Sequence, residues 1–310
     1  MSASVLAIDA GQTGMKVRLK NGIAHEDVLF GGIRTHVPLL PQLAEVVRGA
    51  IDRTGGTPTV VTAGISGLTD RDADADALLA MLSGTGVRKV ILAHDSTTSF
   101  LGALGDTRGA VVAAGTGVVT LAVGRDAIAR VDGWGHLMGD AGSGYWIGQQ
   151  ALEAVMRDYD GRGPHTALSD VVRETWPELD QAYIALQGTD DRVRVVASYA
   201  AHVARLAGEG DDVAIAITHR AAAQLALSVT TAIRRVAHVE DDRLAVCTLG
   251  GVFRSRLLKT EFDAALRADQ GRTDITVVAP QGQGIDGAIA LADLAAPHPL
   301  AAAVHSAGAA

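Results

Sequence analysis

The chain of 310 residues is 48% hydrophobic and 20% charged, a balance that is typical of a globular protein rather than a disordered one. At this length we expect two lobes instead of one compact core. The formal net charge of -8 argues against a nucleic-acid partner, which requires a basic face, but it is compatible with a small phosphorylated ligand.

The N-terminal third of the sequence alternates short apolar strands with helices. Its opening, MSASVLAIDAG, lacks the basic region of a signal peptide, and no uninterrupted apolar run reaches about 18 residues, so we expect a cytoplasmic protein without a membrane partner. Apolar runs between turn residues predict strands at 4–9, 17–19, 23–29, 59–64 and 87–93. Helical periodicity predicts helices at 40–54, 70–82 and 96–104.

The remainder of the sequence begins with the same pattern. Strands are predicted at 110–114, 118–123, 244–249 and 275–278, with a hairpin turn at 124–126. The segment 143–236 is predicted to be mostly helical, with loops at 161–164 and 176–178, and further helices are predicted at 253–266 and 284–294. The Ala-, Pro- and His-rich stretch 296–310 is predicted to be a frayed tail. A strand followed by a glycine turn occurs twice, which indicates a repeated structural unit of low sequence identity.

The first glycine turn, Gly11-Gln12-Thr13-Gly14, directly follows Asp9 and the first strand. Glycines let backbone N–H groups approach phosphate oxygens, and Thr13 adds a hydroxyl donor. A carboxylate at Asp9 could hold Mg²⁺ through water, since that ion keeps much of its hydration. The same pattern is also typical of a plain hairpin turn, and the spacing of a Walker phosphate loop is absent.

Two further glycine turns leave buried strands later in the chain. Gly115-Thr116-Gly117 follows the strand at 110–114, and Gly250-Gly251 follows the strand at 244–249. Two separate turns of this kind suit a nucleotide held between two lobes. Glycines at the last turn would let an adenine or a ribose lie against the backbone.

Asp95 lies at the carboxyl end of the strand at 87–93, an edge at which open α/β sheets bind ligands. A carboxylate there could accept the proton of a substrate hydroxyl that attacks a terminal phosphate. The alternative is that Asp95 only caps the helix that begins at Ser96, and the two roles could coexist. His94 is interpreted as a neighbour of this group rather than as a catalyst.

The stretch DGWGHLMGDAGSGYWIG, residues 132–148, contains two of the three tryptophans and six glycines. A core strand would not accept so many glycines. An aromatic ring beside a carboxylate suits a sugar, whose C–H faces stack on the ring and whose hydroxyls bond the acid. Trp134 and Asp140 are therefore the predicted sugar ligands, whereas Trp146 lies inside the following helix and is predicted to belong to the core.

These motifs together resemble a known family. GWGHLMGDAGSGYWIG closely resembles the GWGxxxGDEGSxYWI signature of N-acetylglucosamine kinases, which belong to the BadF/BadG/BcrA/BcrD-type ATPases of the actin, hexokinase and heat-shock ATPase superfamily. The resemblance extends from Asp9 to Gly287. It implies an α/β, two-lobed actin-like (ribonuclease H-like) fold in which each lobe is a mixed sheet flanked by helices. The N-terminal lobe would comprise 1–107, with the C-terminal helix 285–296 packing back on it, and the C-terminal lobe would comprise 108–284.

The resemblance also implies an activity and its site residues. The chain is expected to act as a cytoplasmic homodimer that uses ATP and Mg²⁺ to phosphorylate a hydroxyl, the 6-OH, of an amino sugar such as N-acetylglucosamine or glucosamine, with Asp95 as the general base. The implied ATP-phosphate residues are Gly11, Gln12, Thr13, Gly115, Thr116 and Gly117, the adenosine residues are Gly250 and Gly251, and Asp9 holds Mg²⁺ through water. The implied sugar residues are Thr35, His36, Asp95, Trp134, Gly135 and Asp140.

Three positions depart from the family pattern. The family commonly has a GxxNP-like loop whose Asn contacts the sugar, where this chain has GGIRTHVP at 31–38, so Thr35 or His36 would have to serve. The usual Glu of GDEGS is Ala141, which removes one acid from the sugar side. The usual DGGGTKT turn is replaced by DAGQTGMK, so a phosphate-facing lysine could only be Lys16.

Two other functions would fit the same fold. An ATP-hydrolysing activator of a radical dehydratase requires clustered cysteines for an iron–sulfur centre, and this chain has one cysteine, Cys247, inside a predicted core strand. A sugar-sensing regulator requires an added DNA-binding helix pair and a basic face. The sequence therefore favours the sugar kinase over both.

Overall fold

The computed structural model describes residues 4–22, 24–236, 244–268 and 275–309. The chain divides into two compact units. Unit 1 comprises Met1–Val111, Val123–Ile128 and Ala279–Ala310, and unit 2 comprises Val112–Ala122 and Ala129–Val278. Each unit contains one sheet with helices packed against it.

The strands are four to seven residues long. In chain order they are β1 (Val5–Ala10), β2 (Met15–Asn21), β3 (Ala24–Phe30), β4 (Val60–Ile65), β5 (Lys89–His94), β6 (Gly109–Ala114), β7 (Val118–Val123), β8 (Ile128–Val131), β9 (Leu244–Leu249), β10 (Ile275–Val278) and β11 (Val304–Gly308).

The helices lie between groups of strands, and five of them follow one another in unit 2 without an intervening strand. They are α1 (Leu39–Thr54), α2 (Ala75–Met81), α3 (Asp95–Leu104), α4 (Gly144–Tyr159), α5 (Leu168–Thr175), α6 (Leu179–Gln187), α7 (Arg192–Glu209), α8 (Asp212–Val236), α9 (Arg256–Ala268) and α10 (Gly284–Ala290). Two short 3₁₀ helices lie at Gly251–Arg254 and Pro299–Ala303.

The sheet of unit 1 has the strand order β11-β5-β4-β1-β2-β3. It is mixed, because β1 is parallel to β4 and antiparallel to β2. Along β1, Leu6 and Ile8 belong to the core formed with α1 and α2, whereas Ala7 packs on Ile285 of α10. Side chains alternate between the faces of a strand. Asp9 therefore shares the face of Ala7 and lies on the α10 side of the sheet.

Two glycines allow α3 and α10 to approach closely within unit 1. A Cβ atom added at Gly287 would lie 1.8 Å from the carbonyl oxygen of Thr98. A Cβ atom added at Gly102 would lie 2.0 Å from the carbonyl oxygen of Gln283. The two helices therefore pack backbone against backbone, which fixes α10 beside the helix that begins at Asp95.

The sheet of unit 2 has the order β10-β9-β6-β7-β8. This order matches β5-β4-β1-β2-β3 of unit 1 strand for strand, so β6 corresponds to β1 and β9 to β4. The repeated structural unit that the sequence indicates is thus confirmed. So is the predicted α/β architecture with a mixed sheet flanked by helices.

Helix α8 is the helix within the described ranges that is long and apolar enough to span a membrane, judged by length and composition alone. Its residues Ile217, Ala221 and Leu225 are buried at helical spacing. The hydroxyls of Ser228 on α8 and Thr120 on β7 form a buried hydrogen bond of 2.7 Å. These contacts make α8 a core helix of unit 2.

The predicted frayed tail at 296–310 is wrong over most of its length. Residues 304–308 form β11, which pairs antiparallel with β5 and places Ala307 opposite Val90. Ala307 is buried at the edge of the sheet. Composition alone did not indicate this strand, because its pairing partner lies more than 200 residues earlier in the chain.

Three predicted helices have different ends. Helix α2 begins at Ala75 rather than at residue 70, because the Asp74 side chain caps it by accepting the N–H of Ala77 at 2.9 Å. The helix predicted at 253–266 is divided at Ser255 into a 3₁₀ turn and α9. Helix α10 ends at Ala290, four residues before the predicted end.

Candidate active site

In unit 2 the second glycine turn is fixed by the first turn of α4. Within the turn, the N–H of Gly115 donates to the carbonyl of Gly117 at 2.9 Å. The N–H groups of Gly144 and Tyr145 donate to the carbonyls of Gly115 and Thr116, at 2.8 and 3.0 Å. The turn therefore lies directly at the N-terminus of a 16-residue helix, an electrostatic environment that favours anions.

The Gly250-Gly251 turn, which follows β9, contacts the end of β6 just before the second glycine turn. Gly250 has a φ of 97°, and a Cβ atom added there would lie 2.2 Å from the carbonyl oxygen of Ala114. Position 250 thus accepts only glycine, both for its backbone angle and for its contact. At Gly251, by contrast, an added Cβ atom meets nothing within 4 Å.

The two turns open onto one cavity of about 700 Å³ that lies within unit 2. Its size falls within the usual range for small-molecule sites, which is roughly 300–1,000 Å³. Its lining includes Gly115, Thr116, Gly144, Arg194, Ala197, Ala201, Arg205, Thr218, Gly251, Arg254 and Arg256. Predicted phosphate residues and a predicted adenosine residue are therefore neighbours, while Gly117 and Gly250 lie next to the lining.

Sequence reasoning missed the four arginines of this cavity. Arg254 and Arg256 come directly after the Gly250-Gly251 turn, so their position in the sequence could have indicated them. Arg194 and Arg205 come from α7, where helical periodicity gives no such signal, and they also pair with Asp191 and Glu209.

The loop that follows β8 is organised by the carboxylate of Asp132. This carboxylate accepts the backbone N–H groups of Gly133, Asp140 and Ala141, at 2.8, 2.7 and 3.0 Å. Asp132 and Asp140 both have positive φ values, 60° and 58°, which aspartate tolerates better than most residues. Asp132 was not predicted as a site residue, yet its hydrogen bonds close the loop that presents Trp134 and Asp140.

Asp140 is buried, and burial raises the pKa of its carboxyl, with the nearby Asp132 charge adding to the effect. The backbone N–H groups of Val118 and Gly135 oppose this rise by bonding the carboxylate. A Cβ atom added at Gly117 would lie 2.7 Å from Asp140 Oδ2, so this carboxylate abuts the second glycine turn. Two predicted groups, the phosphate turn and the sugar acid, are thus adjacent within unit 2.

Trp134 lies on the same loop and its side chain is 62% exposed, so one indole face is open to a ligand. The guanidinium carbon of Arg130 lies 5.8 Å from its ring centroid. Trp146 lies on α4 as predicted, but it is only half-buried and carries Arg220 at 6.0 Å from its ring, so its assignment to the core is only partly correct.

In unit 1, Asp95 is the first residue of α3, and the cap of this helix is His94. Nδ1 of His94 accepts the N–H of Ser96 at 3.1 Å. The interpretation of Asp95 as the helix cap is therefore wrong. Its Oδ1 atom is buried, lies 2.9 Å from Nδ1 of His94 and accepts no hydrogen bond from the described residues. The Asp95 side chain as a whole is 27% exposed.

Asp9 lies on β1 directly opposite Lys16 of β2. The pKa of Asp9 is raised to about 6, chiefly by burial and in part by the charge of Asp95, against an opposing effect of Lys16. A Cβ atom added at Gly284 would lie 2.6 Å from Asp9 Oδ2, which places this carboxylate at the start of α10. Asp9 and Asp95 are two acids, and Lys16 offsets only one negative charge. A hydrated divalent cation would neutralise the excess negative charge, so these residues fit Mg²⁺. The described residues contain no group of three His, Cys, Asp or Glu side chains that could bind a metal directly.

Lys16 is engaged by protein groups. Its Nζ atom lies 3.2 Å from the Asp27 carboxylate and 3.4 Å from Oε1 of Gln283. Lys16, which the sequence pattern offered to a phosphate, is thus held at the β2–α10 side of unit 1 in this structure.

The loop at 31–38 packs against the backbone of the first glycine turn. The N–H of Ile33 donates to the carbonyl of Gly11 at 3.0 Å, and a Cβ atom added at Gly32 would lie 1.9 Å from the carbonyl oxygen of Gln12. Thr13, Thr35 and His36 are exposed. Unit 1 therefore places the predicted sugar loop beside the predicted phosphate turn, through a glycine that the sequence reasoning had not assigned a role.

Cys247 is buried in β9, where burial raises the pKa of its thiol to about 11. This agrees with a core thiol and gives it no part in the site.

Comparisons with known proteins agree with the resemblance. The BadF/BadG/BcrA/BcrD ATPase family model matches residues 8–292. An N-acetylmuramic acid/N-acetylglucosamine kinase of Clostridium acetobutylicum is 29% identical over 230 residues, which cover 72% of this chain and 74% of the relative. An N-acetyl-D-glucosamine kinase of Dictyostelium discoideum is 42% identical over 74 residues, which cover 24% of this chain and 23% of the relative.

Two solved structures extend the comparison. A candidate N-acetylglucosamine kinase from Chromobacterium violaceum has a TM-score of 0.71 and 26% identity, and the match covers 93% of this chain and 98% of that one. A ROK family glucokinase from Streptomyces griseus, in complex with glucose and AMPPNP, has a TM-score of 0.55 and 16% identity over 94% of this chain and 99% of that one, a likeness of fold alone. The predicted actin-like ATPase fold is confirmed, and the chain belongs to the BadF/BadG/BcrA/BcrD ATPase family.

Proposed function

We propose that this chain is an ATP-dependent carbohydrate kinase that phosphorylates a hydroxyl of an amino sugar. The observation that carries the proposal is the cavity of unit 2, in which Gly115, Thr116 and Gly251 lie together. The names of the relatives support an amino sugar such as N-acetylglucosamine as the acceptor. Glucosamine as an alternative substrate, and the 6-OH as the hydroxyl, rest on the resemblance of the sequence motifs to the family.

The nucleotide occupies the cavity of unit 2 with its adenosine against Gly250 and Gly251. The Gly115-Thr116-Gly117 turn and the N-terminus of α4 face its phosphates, and Arg254 and Arg256 add positive charge, whereas Arg194 and Arg205 are paired with acids. The turn formed by Gly11, Gln12 and Thr13 in unit 1 binds the phosphates with its exposed groups.

Asp95 acts as the general base. The hydroxyl oxygen of the sugar attacks the terminal phosphorus while its proton passes to Asp95, and ADP leaves with the electrons of the broken P–O bond. The partial exposure of the Asp95 side chain supports this role, because a carboxylate that the protein does not enclose can meet a substrate hydroxyl. Asp140, Trp134, Gly135, Thr35 and His36 bind the sugar.

Asp9 holds Mg²⁺ through water. The ion would offset the charge of the phosphates during transfer. The raised pKa of Asp9 supports this assignment, since it reflects uncompensated negative charge and burial at this position.

Three further features rest on the resemblance and on the chemistry of the substrates. The lobes are 1–107 with the helix 285–296, and 108–284. The protein acts in the cytoplasm, where ATP and sugars are available, and it acts as a homodimer.

The proposal is tested by measuring ADP release from ATP with glucosamine, N-acetylglucosamine, N-acetylmuramic acid, glucose and mannose in turn. We expect at least one amino sugar to raise ADP release well above the rate without sugar, and the product to be a sugar phosphate by mass spectrometry. Sugar-independent hydrolysis at the same rate with every sugar would contradict the proposal.

The variant Asp95→Asn tests the assignment of Asp95 as the general base. The amide keeps the volume of the side chain but takes no proton, so we expect turnover to fall on the order of 10²–10⁴-fold. Because His94 supplies the helix cap, the melting temperature should stay close to that of the parent. Near-parental turnover would remove Asp95 from the mechanism.

A further inference from the structure

The polar side chains that line the cavity of unit 2 are of only two kinds. Among the described residues of the lining there is no aspartate, glutamate, asparagine, glutamine or histidine. Besides the four arginines, the polar groups are the hydroxyls of Thr116, Ser198, Thr218 and Ser255. A nucleotide in this cavity therefore meets guanidinium and hydroxyl groups but no side-chain amide or carboxylate.

Amides and carboxylates are the side chains that select adenine. Adenine carries an amino group at C6 and an unprotonated N1, whereas guanine and hypoxanthine carry a carbonyl at C6 and a proton on N1. An amide can donate to N7 of adenine while it accepts from its amino group, and a carboxylate can accept from an amino group. A guanidinium group only donates, and it suits O6 and N7 of guanine at least as well as N7 of adenine. The arginines of the cavity thus give adenine no advantage.

The hydroxyl groups add no selection between the purines. Those of Ser198 and Thr218 donate to the carbonyls of Val195 and Ala214, at 2.7 and 2.8 Å. Each hydroxyl oxygen keeps lone pairs that can accept either the amino group of adenine or the N1–H of guanine. The backbone of α7 is not available to the base, because its interior N–H and C=O groups are bonded within the helix.

The apolar part of the lining is smooth. Helix α7 contributes small side chains to it, namely Ala197, Ala200, Ala201 and Ala204. On the segment after β9, a Cβ atom added at Gly251 meets nothing within 4 Å. An apolar wall of this kind holds a flat ring but rejects an analogue with one extra polar group only weakly. The volume of about 700 Å³ is also in the usual range for ligands larger than a single base.

We propose that the enzyme uses GTP and ITP as well as ATP as phosphoryl donors, because its cavity does not select the C6 edge of the purine. The inference rests on the proposed function, since it presumes that this cavity holds the nucleotide. The transfer is the same with each donor. The sugar hydroxyl oxygen bonds the terminal phosphorus, GDP or IDP leaves with the electrons of the broken P–O bond, and the proton passes to Asp95.

Calorimetry with ADP, GDP and IDP in the presence of Mg²⁺ tests the inference without turnover. We expect GDP and IDP to bind no more than about tenfold more weakly than ADP, whereas a site that hydrogen-bonds the edge of one base separates such analogues by about 10⁴-fold or more. A preference for ADP over both of more than about tenfold overturns the proposal. If none of the three binds, the proposed function is overturned with it.

Ala201→Leu tests whether the base lies against α7. The leucine side chain occupies cavity volume, so we expect ADP, GDP and IDP to weaken by the same factor, at least about tenfold. Ala185→Leu is the matched control, because Ala185 is an exposed residue of α6 outside the lining, and it should keep the parental affinities. A loss confined to ADP, or no loss for any of the three, overturns the proposal.

The activity test measures the sugar phosphate by mass spectrometry, with ATP, GTP or ITP as the donor and the best sugar of the screen in excess. We expect kcat/KM for GTP and for ITP to lie within about tenfold of the value for ATP. Complete conversion of the GTP excludes a trace of contaminating ATP as the true donor. Product from ATP alone overturns this inference and leaves the proposed function standing. Absence of product with all three donors contradicts the proposed function, and the calorimetry then still decides the selection of the base.

Discussion

At the scale of single residues, adjacent glycines in this chain serve different purposes. Gly250 is glycine because its φ of 97° and its contact with the Ala114 carbonyl leave no room for a side chain. Gly251 has open space where a side chain would be, and that space belongs to the cavity. The first glycine is required by the fold, whereas the second lines the cavity.

Substitutions at these two positions should separate stability from binding. We expect Gly251→Val to keep the parental melting temperature and to weaken ADP binding at least about tenfold, because the isopropyl group occupies cavity volume. Gly250→Ala should instead destabilise the protein by roughly 1–3 kcal/mol through strain and overlap. Calorimetry with ADP and thermal unfolding measure the two effects. Parental ADP affinity in G251V would place the nucleotide elsewhere.

Asp9 should make the stability of unit 1 depend on pH. Its pKa is raised from 3.8 to about 6 in the folded state, chiefly by burial. The folded state therefore binds the proton more tightly than the unfolded chain does, so stability falls as the pH rises from about 4 to about 6 and stays reduced above that.

Asp9→Asn removes this titration while keeping the shape of the side chain. At about pH 7.5 and without Mg²⁺ we expect the variant to be more stable than the parent by about 1–3 kcal/mol, and at about pH 4 the advantage should largely vanish. Urea unfolding followed by far-UV circular dichroism measures both values, and activity should fall in parallel because the Mg²⁺ ligand is lost. An advantage of equal size at the two pH values would show that the raised pKa is not its cause.

At the scale of elements, the contact of α3 with α10 holds the helix of Asp95 in place. The contact depends on Gly102 and Gly287, whose missing side chains let the two backbones touch. Strand β11 also supports this region, because it forms the edge of the sheet and pairs with β5, which ends at His94. Both elements come from the C-terminal end of the chain and support the same N-terminal strand and helix.

Gly287→Ala should therefore destabilise unit 1. The added Cβ atom would lie 1.8 Å from the Thr98 carbonyl oxygen, so α10 must shift, at a cost of roughly 1–3 kcal/mol. Gly208→Ala is the matched control, since Gly208 lies in α7 with nothing within 4 Å and a permitted backbone angle. This control should be stabilised by roughly 0.5–1 kcal/mol through helix propensity. Equal unfolding free energies for the two variants would contradict the close packing.

At the scale of the whole molecule, the two units share one strand order but carry different groups at corresponding strand ends. Strand β1 ends at Ala10, directly after Asp9, and β6 ends at Ala114, directly before Gly115. Strand β5 leads into Asp95, whereas its counterpart β10 is followed by no acid in the next four residues. Both sheets therefore carry a glycine turn after the central strand, but Asp9 and Asp95 lie at strand ends of unit 1 and the cavity lies in unit 2.

Hydrogen exchange should report this division. We expect ADP to slow exchange chiefly at 115–117, 144–147, 194–205 and 251–258, the segments that line the cavity of unit 2. The Asp95→Asn variant should show the same protection, because its change lies in unit 1, and G251V should lose it. Protection confined to segments outside this set would contradict the position of the nucleotide.

The sequence by itself determined the order of most strands and helices, because their apolar patterns are local. It also indicated the glycine turns, Asp95 and the Trp134–Asp140 loop, because those residue types have few other reasons to occur in such clusters. Where the pattern was ambiguous, as at 70–74, a single capping side chain decided where the helix began.

Only the tertiary structure decided the rest, because it depends on residues that are distant in the chain. The sequence does not reveal which distant segments are neighbours in space. Examples are the pairing of β11 with β5, the contact of Gly250 with Ala114 and the arginines that line the cavity. The same holds for the cap of α3: the sequence offers His94 and Asp95 side by side, and only the positions of their atoms show that the histidine caps the helix.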